Sequence, residues 1–334
     1  MSNTGSVVKP ERGRRAAAVK SASSYASVRE IPADITDAQL ELEGLPVKVT
    51  NLNKLFWPEE NITKRDLLAY YEQVAPYLLP HIRNRAMVMK RYPNGASGEF
   101  FFQKRAPSPR PEYVPLCHIE HDSGNIIDFP VINNTASLLW LVNLGCIDLN
   151  QWYATCDDVN KPDYLHFDLD PVPTAGFECV RESALLVREA LDSLKIPSYP
   201  KTTGSKGIHI YVPIQRGPDQ KQVWTFAKEL ARALASRNPN LITSEYKVVK
   251  RPKNHVLIDY NQNAWGRTLA SVYSVRPKPR ATVSAPVTWD EVASAIKMED
   301  FRIDNMPERV REHGDLFKPL LERTGRFKLE KFVV

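Results

Sequence analysis

The chain has 334 residues, with 45 Lys and Arg against 39 Asp and Glu, a net charge of +6 and a pI near 9.0. At 43% hydrophobic and 25% charged it has the composition of a folded protein, and its excess of cations suits a polyanionic partner. No apolar run approaches the roughly 20 residues that a membrane span needs. Four separated cysteines without a CxxC pair (Cys117, Cys146, Cys156, Cys179) argue against a zinc site or a disulfide framework and for a reducing interior.

In chain order, residues 1–40 read as a disordered basic arm. "KPERGRRAAAVKSASSYASVR" is rich in Arg, Lys, Ser and Ala and has neither a helical nor a strand period; a transit peptide has similar composition. The folded region is expected over 41–334. Thr63 and Asp66 form a capping-box pattern ahead of Leu67, Tyr71, Val74 and Leu78 at helical spacing. "AMVMKRY" and "EFFFQK" read as strands, and "ASLLWLVNLGCI" as a core helix. Strands are expected at "YLHFDLDP", "GIHIYVP" and "HVLIDY", helices at "FECVRESALLVREALDSL" and "QKQVWTFAKELARALASR". A last helix, "TWDEVASAIK", opens on the capping box of Thr288 and Glu291. Strands and helices are interspersed without an internal repeat.

The strand "LHFDLDP" carries two carboxylates, Asp168 and Asp170, two positions apart. On a strand both point to one face, roughly 7 Å apart, where like charges repel unless a cation lies between them. Either one acid is exposed at a strand end or both hold a metal. "KTTGSKGIHIYVP" follows, a turn with Thr203, Ser205, Lys206 and two glycines that runs into a strand at His209. Backbone amides in such a turn can form an anion nest, to which the ammonium adds charge. The third element, "HVLIDYNQN", is an apolar strand ending at Asp259. Three carboxylates on neighbouring strands can hold two divalent cations, as phosphoryl-transfer chemistry requires, with the basic turn opposite them to take a triphosphate.

"DLD", "TTGSKGIH" and "LIDYNQN", in this order, closely resemble the signature motifs of the polymerase/primase domain of bacterial ligase D, in the archaeo-eukaryotic primase superfamily. The resemblance runs from about Val47 to Arg280. It implies an α+β fold: a primase-type catalytic core of two mixed β-sheet modules flanked by helices, with the active site in the cleft between them. It also implies a metal-dependent nucleotidyltransferase that extends primers and fills gaps in DNA, often with ribonucleotides, using divalent metal with Mn2+ preferred and Mg2+ possible. By resemblance Asp168, Asp170 and Asp259 are the catalytic metal ligands. Thr203, Ser205, Lys206, His209 and Arg276 face the phosphates of the incoming nucleotide, and Lys90 lies near the nucleotide and template. Phe101 and Phe102 match aromatics that contact the template, and strand alternation is expected to bury at least one of Phe100, Phe101 and Phe102. Lys54 and Lys64 match lysines that grip the 5′-phosphate of a downstream strand. The implied partners are gapped or double-strand-break DNA with a 5′-phosphate, NTP or dNTP, a separately encoded ATP-dependent DNA ligase and an end-binding protein. The expected location is the bacterial cytoplasm, in association with the nucleoid.

Two departures stand out. Where the family usually has E-x-H before a tryptophan, this chain reads "IDLNQW", with Asp148 and Asn150. It also has no KxDG nucleotidyl-lysine motif, which reads as a stand-alone polymerase. Two other readings stay open at this point: a metal-dependent phosphodiesterase, which has no need of a phosphate-gripping turn, and a non-catalytic module that bridges DNA ends.

Overall fold

The computed structural model describes residues 24–121 and 123–332. Strands β1 (Ser24–Tyr25), β2 (Ala38–Leu42) and β3 (Leu45–Val49) form a small sheet; β4 (Leu55–Trp57) and β5 (Ile62–Thr63) form a ribbon that leads into helix α1 (Lys64–Ile82). β6 (Met87–Arg91) and β7 (Phe101–Gln103) follow, then the hairpin of β8 (Leu116–Glu120) and β9 (Ile126–Pro130), helix α2 (Thr135–Asn143) and β10 (Cys146–Gln151). The second half contains β11 (Tyr164–Pro171), α3 (Phe177–Ser193), β12 (Tyr199–Thr202), β13 (Ile208–Pro213), α4 (Gln220–Arg237), β14 (Ile242–Thr243) and β15 (Val256–Asp259), then α5 (Trp289–Ala293) and α6 (Met306–His313). Two sheets matter for function. One is antiparallel, in the order β10-β6-β7; the other is mixed, in the order β12-β13-β11-β15-β14.

Local chemistry sets the element ends. Thr63 and Asp66 cap α1 reciprocally: the Thr63 amide donates to Asp66 Oδ2 at 2.7 Å, and the Asp66 amide donates to Thr63 Oγ1. Leu67, Tyr71, Val74 and Leu78 then face the core, all fully buried. β11 and β13 are buried along nearly their whole length, so they read as continuous apolar runs broken by the site's polar residues. No helix among the described residues is long and apolar enough to cross a membrane.

Several expectations need correction. Residues 1–23 lie outside the described residues, but residues 24–40 are not an unstructured arm. Val28 and Leu40 are fully buried, β1 pairs with β2, and the Val28 amide donates to Glu72 Oε2 on α1 at 3.1 Å. Two well-placed apolar side chains outweigh the polar composition around them. The run "ASLLWLVNLGCI" is not one helix: α2 ends at Asn143, Gly145 turns the chain at φ +81°, and Cys146 opens β10. The last capping box starts only a five-residue helix, closed at Ser294. Cys117 and Cys156 form a disulfide with Cα atoms 5.7 Å apart, against the expectation of none; 39 residues separate them in sequence, so no spacing motif announces the pair.

Candidate active site

The five-stranded sheet aligns one row of polar residues across four strands. Its register sets Lys201 of β12 opposite His209 of β13, His209 opposite Asp168 of β11, and Asp168 opposite Asp259 of β15. Asp168 is 7% exposed, and His209 Nε2 stands 3.2 Å from its Oδ1. Burial, with Asp259 facing it, pushes the Asp168 carboxyl up to about 7. Asp170, two residues on, is raised to about 6 by burial and by Asp168. The His209 ring is held neutral, its pKa driven well below the usual range by burial and then by Lys201 and Arg276. Asp259 is restrained on three sides. Its Oδ1 accepts from Tyr246 Oη at 2.8 Å and from the Asn261 amide at 3.0 Å, and its Oδ2 accepts from Gln262 Nε2 at 2.9 Å.

Below this row lies the phosphate-turn candidate. Gly204 has φ +64°, and a Cβ there would stand 2.6 Å from Arg276 Cγ and 2.8 Å from the Val283 carbonyl carbon; one at Gly207 would press into the Leu169 carbonyl oxygen. Both positions therefore require glycine. The amides of Ser205, Lys206 and Gly207 all donate to Thr203 Oγ1, at 3.0–3.2 Å. The nest expected to bind an anion is thus closed around its own hydroxyl, and Ser205, Lys206 and Arg276 line the cleft beside it. Arg276 joins the two sheets: its guanidinium donates to the Thr203 carbonyl, and its Nε lies 3.3 Å from Asp148 Oδ2 on β10. The cleft between the sheets holds about 440 Å³, and Asp168, Asp170, His209, Lys90, Phe102 and Asn150 are among the residues that line it.

The family model for the LigD primase-polymerase domain matches residues 63–317. The chain belongs to the LigD primase-polymerase domain family. It is 33% identical over 276 residues to the multifunctional non-homologous end joining protein LigD of Mycolicibacterium smegmatis, covering 82% of this chain and 36% of that protein. Against the bifunctional LigD of Bacillus subtilis it is 32% identical over 286 residues, 84% of this chain and 46% of that one. The chain therefore spans less than half the length of these relatives. The solved polymerase domain of Mycobacterium tuberculosis ligase D in complex with DNA superposes with a TM-score of 0.77 at 28% identity, covering 82% of this chain and 98% of that one. This LigD-type primase-polymerase domain is accordingly a nucleotidyltransferase of the polymerase class.

Within this LigD-type domain the candidate residues fall into three groups. Asp168, Asp170, Lys90, Phe102, Thr203, Ser205, Lys206, His209 and Arg276 share one cleft, and Asp259 meets Asp168 across the strand pair. Among the described residues, no three His, Cys, Asp or Glu side chains already stand close enough to cage a metal ion. Lys54 and Lys64 form a second group: the Lys64 amide donates to the Lys54 carbonyl at 2.9 Å. Lys54 is exposed, with its ammonium donating to the Pro93 carbonyl at 2.7 Å. Lys64 is buried against the Thr50 carbonyl and lowered to about 8, chiefly by burial. Phe101 stands alone. β7 pairs Phe102 with Lys90 and Phe101 with Arg91, so the two rings face opposite sides of the sheet, and only Phe102 lines the cleft. Against the expected alternation, Phe100, Phe101 and Phe102 are all at least 45% exposed. The Lys90 ammonium accounts for part of this: it sits 4.1 Å above the Phe100 ring and 5.5 Å from those of Tyr92 and Phe102.

Residues that motif reading passed over complete the site. Lys201 is fully buried and donates to the Ala270 carbonyl at 3.0 Å and to Ser284 Oγ, which ties the cleft wall at 266–270 to β12. Asn263 is 1% exposed; it accepts from the His166 amide at 3.0 Å and donates to the His166 carbonyl at 2.7 Å. Tyr246 and Gln262 position Asp259. The i, i+2 spacing of Asp148 and Asn150 was the one visible signal that β10 turns a polar face to the cleft.

Proposed function

We propose that this chain is a metal-dependent, DNA-directed nucleotidyltransferase that extends primers and fills short gaps in broken or gapped DNA, favouring ribonucleotides and reading a downstream 5′-phosphate. The observation that carries the reading is the row Lys201–His209–Asp168–Asp259, because it sets the buried Asp168 carboxylate against the half-buried Asp259, and the one ion-pair partner near Asp168 among the described residues is the neutral His209 ring. Carboxylate oxygens are hard donors that suit Mn2+ or Mg2+, and the upward push on Asp168 and Asp170 is the signature of a site that gains from a bound cation. Asp168, Asp170 and Asp259 would hold the metal, which when bound supplies charge neutralisation and activation of the primer hydroxyl.

The chain's own side chains do the rest. Lys206 and Arg276, on the turn side of the cleft, attract and orient the triphosphate, and the neutral His209 keeps Asp168 aimed into the cleft. Lys90 and Phe102 form the opposite wall, where an aromatic face can stack on a templating base without sequence preference. Lys54 and Lys64 would grip the terminal phosphate of the downstream strand. The names of the relatives point to end joining, so a DNA ligase and an end-binding protein are the partners proposed here. Primer extension on a duplex with a short gap tests the reading, with Mn2+ against Mg2+ and ribonucleotides against deoxyribonucleotides. Asp259→Ala is expected to stay folded and bind DNA yet extend nothing. Extension at a near-normal rate by that variant would overturn it.

A further inference from the structure

We propose that Cys117 and Cys156 are a reversible oxidation site, closed by exchange with a small disulfide, that pins the β8–β9 hairpin to the small core behind the nucleotide cleft. Three independent observations carry this. The first is proximity: the Cα atoms stand 5.7 Å apart, inside the range that a disulfide bridges without moving the backbone. The second is asymmetric access. Cys117, in β8, is 2% exposed, whereas Cys156, in the turn beyond β10, is half-buried. The third is what the bond would join. β8 and β9 form a two-stranded sheet of their own, and a lone hairpin has little stability without outside support.

The body that the bond reaches is the wall of the cleft. Cys117, Ile119 and Phe129 of the hairpin pack with Ala86, Val88, Val131 and Trp152 in a core separate from the main one, and Cys156 and Trp265 close over it. Val88 lines the nucleotide cleft, and Trp265 immediately precedes the cleft-lining segment at 266–270. The backbone supports the same junction: the Cys156 amide donates to the Asn84 carbonyl at 2.7 Å and the Trp152 amide to the Ala86 carbonyl at 2.9 Å. Closing the bond therefore fixes the hairpin to the strand ends that set the shape of the cleft.

The chemistry balances with a low-molecular-weight disulfide as oxidant. The Cys156 thiolate, the more accessible of the two, attacks one sulfur of the small disulfide; the S–S bond of the oxidant breaks and one small thiolate leaves. The Cys117 thiolate then attacks Cys156 Sγ in the mixed disulfide, and the second small thiolate leaves. Two protein thiols are oxidised, one small disulfide is reduced to two thiols, and the two protons of the cysteines go to solvent or to the leaving thiolates.

Of the two further cysteines, both free, buried Cys146 acts as the internal control, and half-buried Cys179 has no neighbouring thiol to close a bond with. The experiment treats the full chain with glutathione disulfide or with dithiothreitol, then alkylates in denaturant and maps the labels by mass spectrometry. The expected result is label at all four cysteines after reduction, and after oxidation label kept at Cys146 with Cys117 and Cys156 unlabelled and recovered as one disulfide-linked peptide pair, with full reversal on re-reduction. In parallel, amide exchange across 116–130 is expected to slow at least tenfold in the oxidised protein. Cys117→Ala should trap the glutathione adduct on Cys156, because the resolving thiol is missing. Four labelled cysteines after oxidation, a glutathione adduct that persists on Cys156 of the unaltered chain, or a closed bond with unchanged exchange at 116–130 would each overturn the proposal.

Discussion

Replacing Asp168 with asparagine should stabilise the metal-free protein, and the gain should depend on pH. Asp168 is 7% exposed and faces Asp259 across the strand pair, and its carboxyl is raised from 3.8 to about 7. Well below pH 3.8 the carboxyl is protonated in both the folded and the unfolded chain, so it costs nothing. Between 4 and 7 the unfolded chain ionises while the folded one resists, and stability drains away as pH rises. Above 7 the full cost is present: at about 1.4 kcal/mol per pH unit, the gap between 3.8 and about 7 amounts to about 4 kcal/mol. The amide would remove that cost and forfeit roughly 1 kcal/mol of polar contact with His209. Urea melts in EDTA should therefore show Asp168→Asn more stable than the parent by about 3 kcal/mol at pH 8, and near parity at pH 4.5. Added Mn2+ should stabilise the parent at pH 8 and do much less for the variant, which will not extend primers. A variant less stable than the parent at pH 8, or an advantage of equal size at both pH values, would refute the electrostatic argument.

The remaining expectations concern the walls of the site. Lys54→Ala should weaken binding to a gap bearing a 5′-phosphate far more than to the same gap ending in hydroxyl, since it removes a charge-assisted contact to a compact dianion; equal losses would reduce Lys54 to general electrostatics. With Lys64 held near 8 in the free protein, the preference for phosphate should fade as pH rises from 7 to 9, measured by titration of labelled gaps. Phe102→Ala should cost roughly 1–3 kcal/mol of template binding, the usual worth of one stacked base, and Phe101→Ala should leave nucleotide KM unchanged because its ring lies on the other face of the sheet. Ribonucleotides should show the higher kcat/KM, and a measured preference for deoxyribonucleotides would remove that part of the proposed function.

What the sequence disclosed was set by how local each signal is. The strands bearing Asp168, His209 and Asp259 were legible because each is an apolar run with a turn at its end, and α1 because a capping pair and a 3.6-residue period fix a helix from within. Non-local facts stayed hidden. The register that sets Lys201, His209, Asp168 and Asp259 in one line comes from strand order, which no single segment encodes. The burial of Lys64 was hidden because nothing near it in sequence reveals the Thr50 carbonyl that its ammonium meets. The three phenylalanines of "EFFFQK" mimicked a buried strand, yet β7 is an edge strand whose rings are half open to solvent. Tyr246 carries no motif at all; it matters because β14 runs parallel to β15 and returns the chain to Asp259.

Asn263 gives the motif "LIDYNQN" a second meaning. Its side-chain amide makes with His166 the donor-and-acceptor pair that the backbone of one more strand residue would have made. It thus acts as a frame marker for β15. Strand faces alternate residue by residue, so a slip of a single position would carry Asp259 to the far side of the sheet and turn over the buried Val256, Leu257 and Ile258 with it. The last letter of the motif therefore guards alignment, a duty separate from the metal-holding role proposed for its aspartate. A carboxylate can accept but cannot donate, so an acid in place of Asn263 would satisfy only one of the two bonds and leave the His166 carbonyl unpaired in a buried place. Natural variation in this motif should then divide by physics: near Asp259 it is limited by charge, and at Asn263 by the need for an amide.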